Sequence, residues 1–256
     1  MASAMKRKPV KAIRTIDEFD ASFFSDLQLG VELQDFTEPA LPDFAVYKTL
    51  RRYERELADF HFTKAMHGSF LDVDIASFNL DFARYSKKLY LRDLFFAKVL
   101  DLDYVIFHAN TKLRYANQNA FTVFANLQKD FFAEALDATG FSGTVVLENV
   151  LDAAPTYILS LLNTIRLPQV KMNFDFGHAK LSSTPIADWI AATADKIGYV
   201  HLHSNNGIDD VHNPVTAEDA ALLTKILDEY TIQVPLSLEY WDCDLKHEIE
   251  RLKNLL

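Results

Sequence analysis

Cysteine is almost absent. The 256-residue chain has one, Cys243, which excludes an intrachain disulfide and any cysteine-held zinc or iron–sulfur cluster. Glycine is also scarce. The seven glycines, at 30, 68, 140, 143, 177, 198 and 207, form neither the Gly-x-Gly-x-x-Gly dinucleotide fingerprint nor a Walker loop. Nowhere do about 18 uncharged apolar residues run together, so no membrane-spanning helix is expected. The basic start MASAMKRKPVKAIRTID is followed by no apolar stretch, so no secretory signal is expected, and the chain reads as cytoplasmic. Basic residues are outnumbered 26 to 36, a net charge of −10 that repels a phosphate backbone and makes nucleic acid an unpromising partner.

What is present is an ordinary globular composition, 49% hydrophobic and 24% charged, laid out with a regular rhythm. From residue 100 onward, short β-branched or apolar runs alternate with amphipathic stretches. The runs are 104–108 (YVIFH), 144–149 (TVVLEN), 170–175 (VKMNFD), 199–203 (YVHLH) and 234–240 (VPLSLEY). Helices are expected at 115–139, 155–165, 186–196, 216–230 and 243–256, the fourth opened by the capping box of Thr216 and Asp219. The first hundred residues follow the rhythm less cleanly, with strands at 27–33 and 62–67, helices at 46–60 and 82–101, and a weakly marked first strand at 10–15. Up to eight strand–helix units with no linker predict an α/β fold, a (β/α)₈ barrel spanning residues 1–256 as one domain. An open doubly wound sheet shares the alternation, but such sheets usually carry the glycine-rich nucleotide turns missing here.

The polar residues sit where a barrel would use them. Seven consecutive units carry an ionisable group at or just past the C-terminal end of the strand: Glu32, His67, His108, Glu148, Asp175, His201 (with His203) and Glu239. One strand-end acid is explained by helix capping and one histidine by core packing; seven in succession are not. In a barrel these ends converge on the face that carries active sites. A buried carboxylate there must be paired, hydrogen-bonded or metal-bound. Imidazole and carboxylate without sulfur suit Mn²⁺ or Zn²⁺, with Mg²⁺ or Co²⁺ as alternatives. His178, three residues after Asp175, and Asp210 with His212 after the seventh strand add further donors.

The segments LEN (147–149), FDFGHAK (174–180), HLHSNNGIDDVH (201–212) and LSLEY (236–240), in that order, resemble the xylose isomerase-like TIM-barrel superfamily. It contains sugar-phosphate isomerases and epimerases and the endonuclease IV type of repair enzyme. The resemblance covers residues 60 to 256. Its isomerase pattern implies one metal held by Glu148, Asp175, His201 and Glu239. Its endonuclease pattern implies a three-metal cluster that adds His67, His108, His178, Asp210 and His212. The sequence departs from the common pattern after His212, where Asn213-Pro214-Val215 replaces a glycine-containing stretch.

Three functions follow from these residues. The first is a divalent-metal-dependent isomerase or epimerase of a sugar, sugar phosphate or related polyol. Its catalytic carboxylates would be Glu148 and Glu239, acting as base and acid on opposite sides of the substrate. The second is a metal-dependent phosphodiester hydrolase like endonuclease IV, which the negative charge disfavours. The third is a non-catalytic metal-binding barrel, against which the opposed pair 148 and 239 speaks. His203, pointing the same way as His201, would contact substrate or orient a ligand. Lys112 and Arg114 are weaker candidates for holding a phosphate, and Glu32 for reaching substrate. Phe70, Phe176 and Trp241 are candidate pocket walls, while His61 and His247 are expected to face water. The expected partner is a small sugar-like molecule, without membrane or nucleic acid; a homo-oligomer is left open.

Overall fold

Residues 6–37, 43–111, 117–150 and 152–256 are described in a computed structural model; Lys112 and Arg114 lie outside them. Eight parallel strands close into a barrel in chain order. They are β1 (Pro9–Ile13), β2 (Gly30–Leu33), β3 (Lys64–His67), β4 (Tyr104–His108), β5 (Thr144–Glu148), β6 (Val170–Asp175), β7 (Ile197–Leu202) and β8 (Leu236–Leu238). Between and after them lie α1 (Ala21–Asp26), α2 (Asp43–Glu56), α3 (Leu80–Val99), α4 (Gln118–Thr139), α5 (Thr156–Ile165), α6 (Phe176–Lys180), α7 (Ile186–Thr193), α8 (Ala217–Glu229) and α9 (Leu245–Arg251). This is a (β/α)₈ TIM barrel. No described helix is long and apolar enough to cross a membrane.

The boundaries have local causes. Asn79, Asn117, Thr216 and Asp244 each accept a first-turn backbone N–H and so fix the starts of α3, α4, α8 and α9. Helix α5 stops where Arg166 turns left-handed, two residues before Pro168. Strand β8 is shorter than the apolar run 234–240, and Pro235, which has no N–H to give a ladder, lies just outside it. The short helices α1 and α6 and the 3₁₀ turn at Ile16–Glu18 interrupt stretches that carry no helical period.

Strand side chains alternate between two environments. One set, including Val31, Met66, Val105, Phe107, Leu147, Phe174 and Val200, packs outward in the large core under the helices. The other forms a small cluster of Ala65, Ile106, Val146 and Tyr199 inside the barrel. Two residues further along these same strands come His67, His108, Glu148 and His201. The inward-facing rows thus change from apolar to ionisable on approaching the C-terminal ends.

Candidate active site

Strand register brings the predicted residues together. His108 pairs with Glu148, Glu148 with Asn173, and Asp175 with His201 across neighbouring strands. Asp175 does more than end β6. Its carboxylate accepts the His178 backbone N–H at 2.7 Å, capping α6 and turning His178 back toward the barrel axis. Gly177 is required inside that turn, because a Cβ there would lie 2.0 Å from the His203 ring. The loop with Asp210 and His212 is closed by reciprocal backbone bonds between Ser204 and Asn213, at 2.8 and 2.9 Å. Asn213, where the sequence leaves the family pattern, is therefore the residue that holds this loop over the site.

His201 is the centre. Its Nδ1 stands 3.0 Å from Glu239, 3.1 Å from Glu148 and 3.6 Å from Asp175, yet has no hydrogen-bond partner. Around it the ligand atoms fall into adjoining groups, each within 4.8 Å: His67, His108 and Glu148; Glu148, Asp175 and His201; His178, His203, Asp210 and His212. Glu148 belongs to two groups and adjoins the third, with His178 Nδ1 3.2 Å away. His203 lies with its Nε2 3.1 Å from Asp175, and its ring stacks 3.9 Å from that of His212. Glu32 is wholly buried, with Oε2 3.1 Å from His201 Nε2, and forms a further donor group with His201 and Glu239.

The histidines are preset for coordination. His67 Nδ1 sits 2.9 Å from the Gly68 carbonyl, His178 Nδ1 2.8 Å from that of Asn149, and His212 Nδ1 2.8 Å from that of Glu239. A carbonyl only accepts, so each Nδ1 carries a proton and Nε2 is the nitrogen left for a cation. His108 is pushed down to about 4 by burial and stays neutral. Burial also opposes charge on His201, but Glu239, Glu32 and Glu148 outweigh it and hold the ring well above the usual imidazole range. His212 is raised to about 9, burial again being overcome, here chiefly by Asp210. The carboxylates move oppositely: burial would raise Glu148, yet His201 and His178 hold it well below its ordinary value, and Glu239 falls to about 2 for the same reason.

This donor set fits divalent cations. Nitrogen and carboxylate donors converge on shared points, and the buried His201 Nδ1 and Glu239 Oε2, 3.0 Å apart, make no hydrogen bond. Glu148, Asp175 and His201 form one such group, with Glu239 3.0 Å from the same His201 nitrogen. His67, His108 and Glu148, and His178, His203, Asp210 and His212, form two more beside it, and Glu239 joins Glu32 with His201 and Asp175 with His203 in others.

A cleft of about 500 Å³ opens beside this centre, lined by Thr15, Gln34, Asp35, Thr37, Val46, Thr49 and Phe70 among others. It touches the donors at two points: Gln34 donates to Glu239 at 2.8 Å, and the Phe70 ring lies 5.0 and 4.8 Å from His67 and His108. Phe70 is thus a pocket wall, and Trp241 stacks on His212. Phe176 is fully buried and is not a wall; His61 and His247 are exposed, His61 in the turn after α2 and not within it. Sequence reasoning gave no role to Gln34, Asn149, Asn173 or Tyr199. Asn173 donates to Glu148 at 2.9 Å, and the Asn149 amide clasps the Asp175 backbone at both N–H and C=O. Asn173 and Tyr199 each stand two residues before a predicted ligand, the one signal that pointed to them.

The chain belongs to the xylose isomerase-like TIM barrel family, whose model matches residues 28–255. No curated protein matches it. Among solved structures it is similar to the TTHB071 protein from Thermus thermophilus soaked with zinc chloride, at 21% identity and TM-score 0.74 over 98% of both chains. It is also similar to endonuclease IV from Thermus thermophilus, at 15% identity and TM-score 0.67 over 97% of both chains. A third likeness is to an L-ribulose 3-epimerase, at 16% identity and TM-score 0.66 over 96% of this chain and 86% of that one. At these identities the likeness concerns the fold.

Proposed function

We propose that the protein is a divalent-metal-dependent isomerase or epimerase acting on a small polyhydroxylated, sugar-like substrate. One observation carries this reading: Glu148 and Glu239, three strands apart, bring carboxylate oxygens to the same His201 Nδ1, at 3.1 and 3.0 Å. A bound divalent ion would supply Lewis acidity that stabilises the negative charge developing on a substrate carbonyl oxygen. The rest belongs to the chain. Either carboxylate removes a proton from the carbon beside a carbonyl, and the other returns one from the opposite side. Asn173 holds Glu148 and Gln34 holds Glu239, so the two oxygens keep their separation while protons move. The hydroxyl- and amide-lined cleft suits the remainder of a sugar, with Phe70 against an apolar ring face.

Phosphodiester hydrolysis is the second reading, favoured by the two extra donor groups flanking Glu148. Ion analysis of the purified protein together with two assays separates them. One assay follows exchange of the α-proton of D-fructose, D-tagatose or L-ribulose with deuterated water by NMR, and the other follows release of nitrophenol from bis-nitrophenyl phosphate. Exchange without phosphate-ester cleavage supports the isomerase; cleavage with two or three ions per chain and no exchange overturns it.

A further inference from the structure

We infer that Glu32 is the positioning residue for His201: from below the site it holds the ring by its Nε2–H and thereby fixes Nδ1 as the atom offered to a cation. The inference rests on the metal-binding reading of the site and adds a residue outside the ligand sets that the family resemblance implies.

Glu32 is wholly buried inside the barrel, on β2, beside β1 and β3 and across the barrel from β7. Its Oε2 lies 3.0 Å from the Tyr199 hydroxyl and 3.1 Å from His201 Nε2, while Oε1 has no partner. Both contacts converge on this one oxygen, which accepts the Tyr199 hydroxyl and faces the Nε2–H edge of His201. An imidazole that gives one nitrogen to a cation carries its single N–H on the other. With that proton on Nε2, the lone pair is on Nδ1, the atom aimed among Glu148, Asp175 and Glu239. The other bonded histidines are set the opposite way. His67, His178 and His212 each face a backbone carbonyl through Nδ1 and keep Nε2 for coordination. No carbonyl is bonded to His201, and among the described residues Glu32 is the group bonded to its Nε2. The carboxylate also places negative charge behind the ring, which makes Nδ1 a stronger donor.

The test reads the ring directly. Protein labelled with ¹⁵N-histidine and loaded with zinc is examined by long-range ¹H–¹⁵N correlation, the His201 signals being assigned by their loss in His201→Asn. The expected pattern is a protonated Nε2 and a zinc-shifted Nδ1 for His201, reversed for His67, His178 and His212. In parallel, chelator competition should show zinc affinity falling 10- to 100-fold in Glu32→Ala with the number of bound ions unchanged. Glu32→Gln keeps an acceptor for Nε2–H and should stay within about tenfold of the parent. A zinc-shifted Nε2 on His201, parental affinity in Glu32→Ala, or loss of one ion in that variant each overturns the proposal, the last because it makes Glu32 a ligand. Should Glu32→Ala not fold, the spectrum of the parent decides alone. Failure of the parent to bind zinc refutes the metal-binding reading itself, an outcome distinct from the others.

Discussion

Replacing Glu148 by glutamine tests the site at its most connected point. The carboxylate takes the Asn173 amide at 2.9 Å and faces the imidazole nitrogens of His201 and His178 at 3.1 and 3.2 Å, with His67 at 3.6 Å. Glutamine keeps the volume and an oxygen for Asn173, but removes the charge and turns an NH₂ toward the histidines. Hydrogen bonds to charged groups contribute about 1.5–3 kcal/mol and neutral ones about 1 kcal/mol. Two such contacts weakened give a loss of roughly 1–4 kcal/mol in chelator-stripped protein, or a melting temperature lower by about 2–16 °C for a chain of this size. In the metal-loaded protein the same change should weaken zinc binding about tenfold or more. Turnover should fall by about 10² or more, the usual contribution of a general base. Differential scanning calorimetry, zinc titration and α-proton exchange report the three quantities independently. Parental melting, affinity and exchange in Glu148→Gln would show that this carboxylate is a bystander and would remove the proposed mechanism.

Asp175→Asn and His201→Ala should each lower zinc affinity at least about tenfold by calorimetric titration; unchanged binding in both would disprove the ligand assignment. Gly177→Ala places a methyl carbon 2.0 Å from the rigid His203 ring, so it should cost about 1–3 kcal/mol, and melting at the parental temperature would contradict that packing. The stripped protein should be most stable between about pH 4.5 and 6.5. Glu239, held down to about 2, contributes stability that is present above its ordinary 4.5 and lost as pH falls toward 2. His212, raised to about 9, contributes stability that is full below its ordinary 6.5 and lost as pH rises through 9. Zinc binding requires deprotonated imidazoles and so should tighten over that same alkaline interval. A stripped protein melting as high at pH 9 as at pH 6 would refute the charge balance drawn for the site.

The barrel and most of the donors were legible in the sequence because both are written with period two along single strands. An apolar run ending in histidine or a carboxylate, as in YVIFH or TVVLE, states that one face is buried and that its last position is put to use. Elements of one or two turns were not legible: α1 and α6 are too short for a period, and α6 exists because the Asp175 side chain caps it. The expected strand 10–15 lies one or two residues off β1, and the expected helix 243–256 shrinks to α9, since ends are set by caps and neighbours rather than by hydrophobicity.

By itself the sequence determined that nitrogen and oxygen donors, without sulfur, stand at the ends of successive strands: His67, His108, Glu148, Asp175, His201 and Glu239. Only the tertiary structure decided what they are to one another. Barrel closure put Glu148 and Glu239 within 3.1 and 3.0 Å of one His201 nitrogen, and the Ser204–Asn213 bridge brought Asp210 to 3.0 Å from His178. It also set the tautomers, by placing carbonyls of Gly68, Asn149 and Glu239 against three rings and Glu32 beneath the fourth. The physical reason is that a ligand's identity is a local property of one residue. Its charge, proton and direction are instead fixed by groups 1 to 169 positions away in the chain, which meet only when the sheet closes.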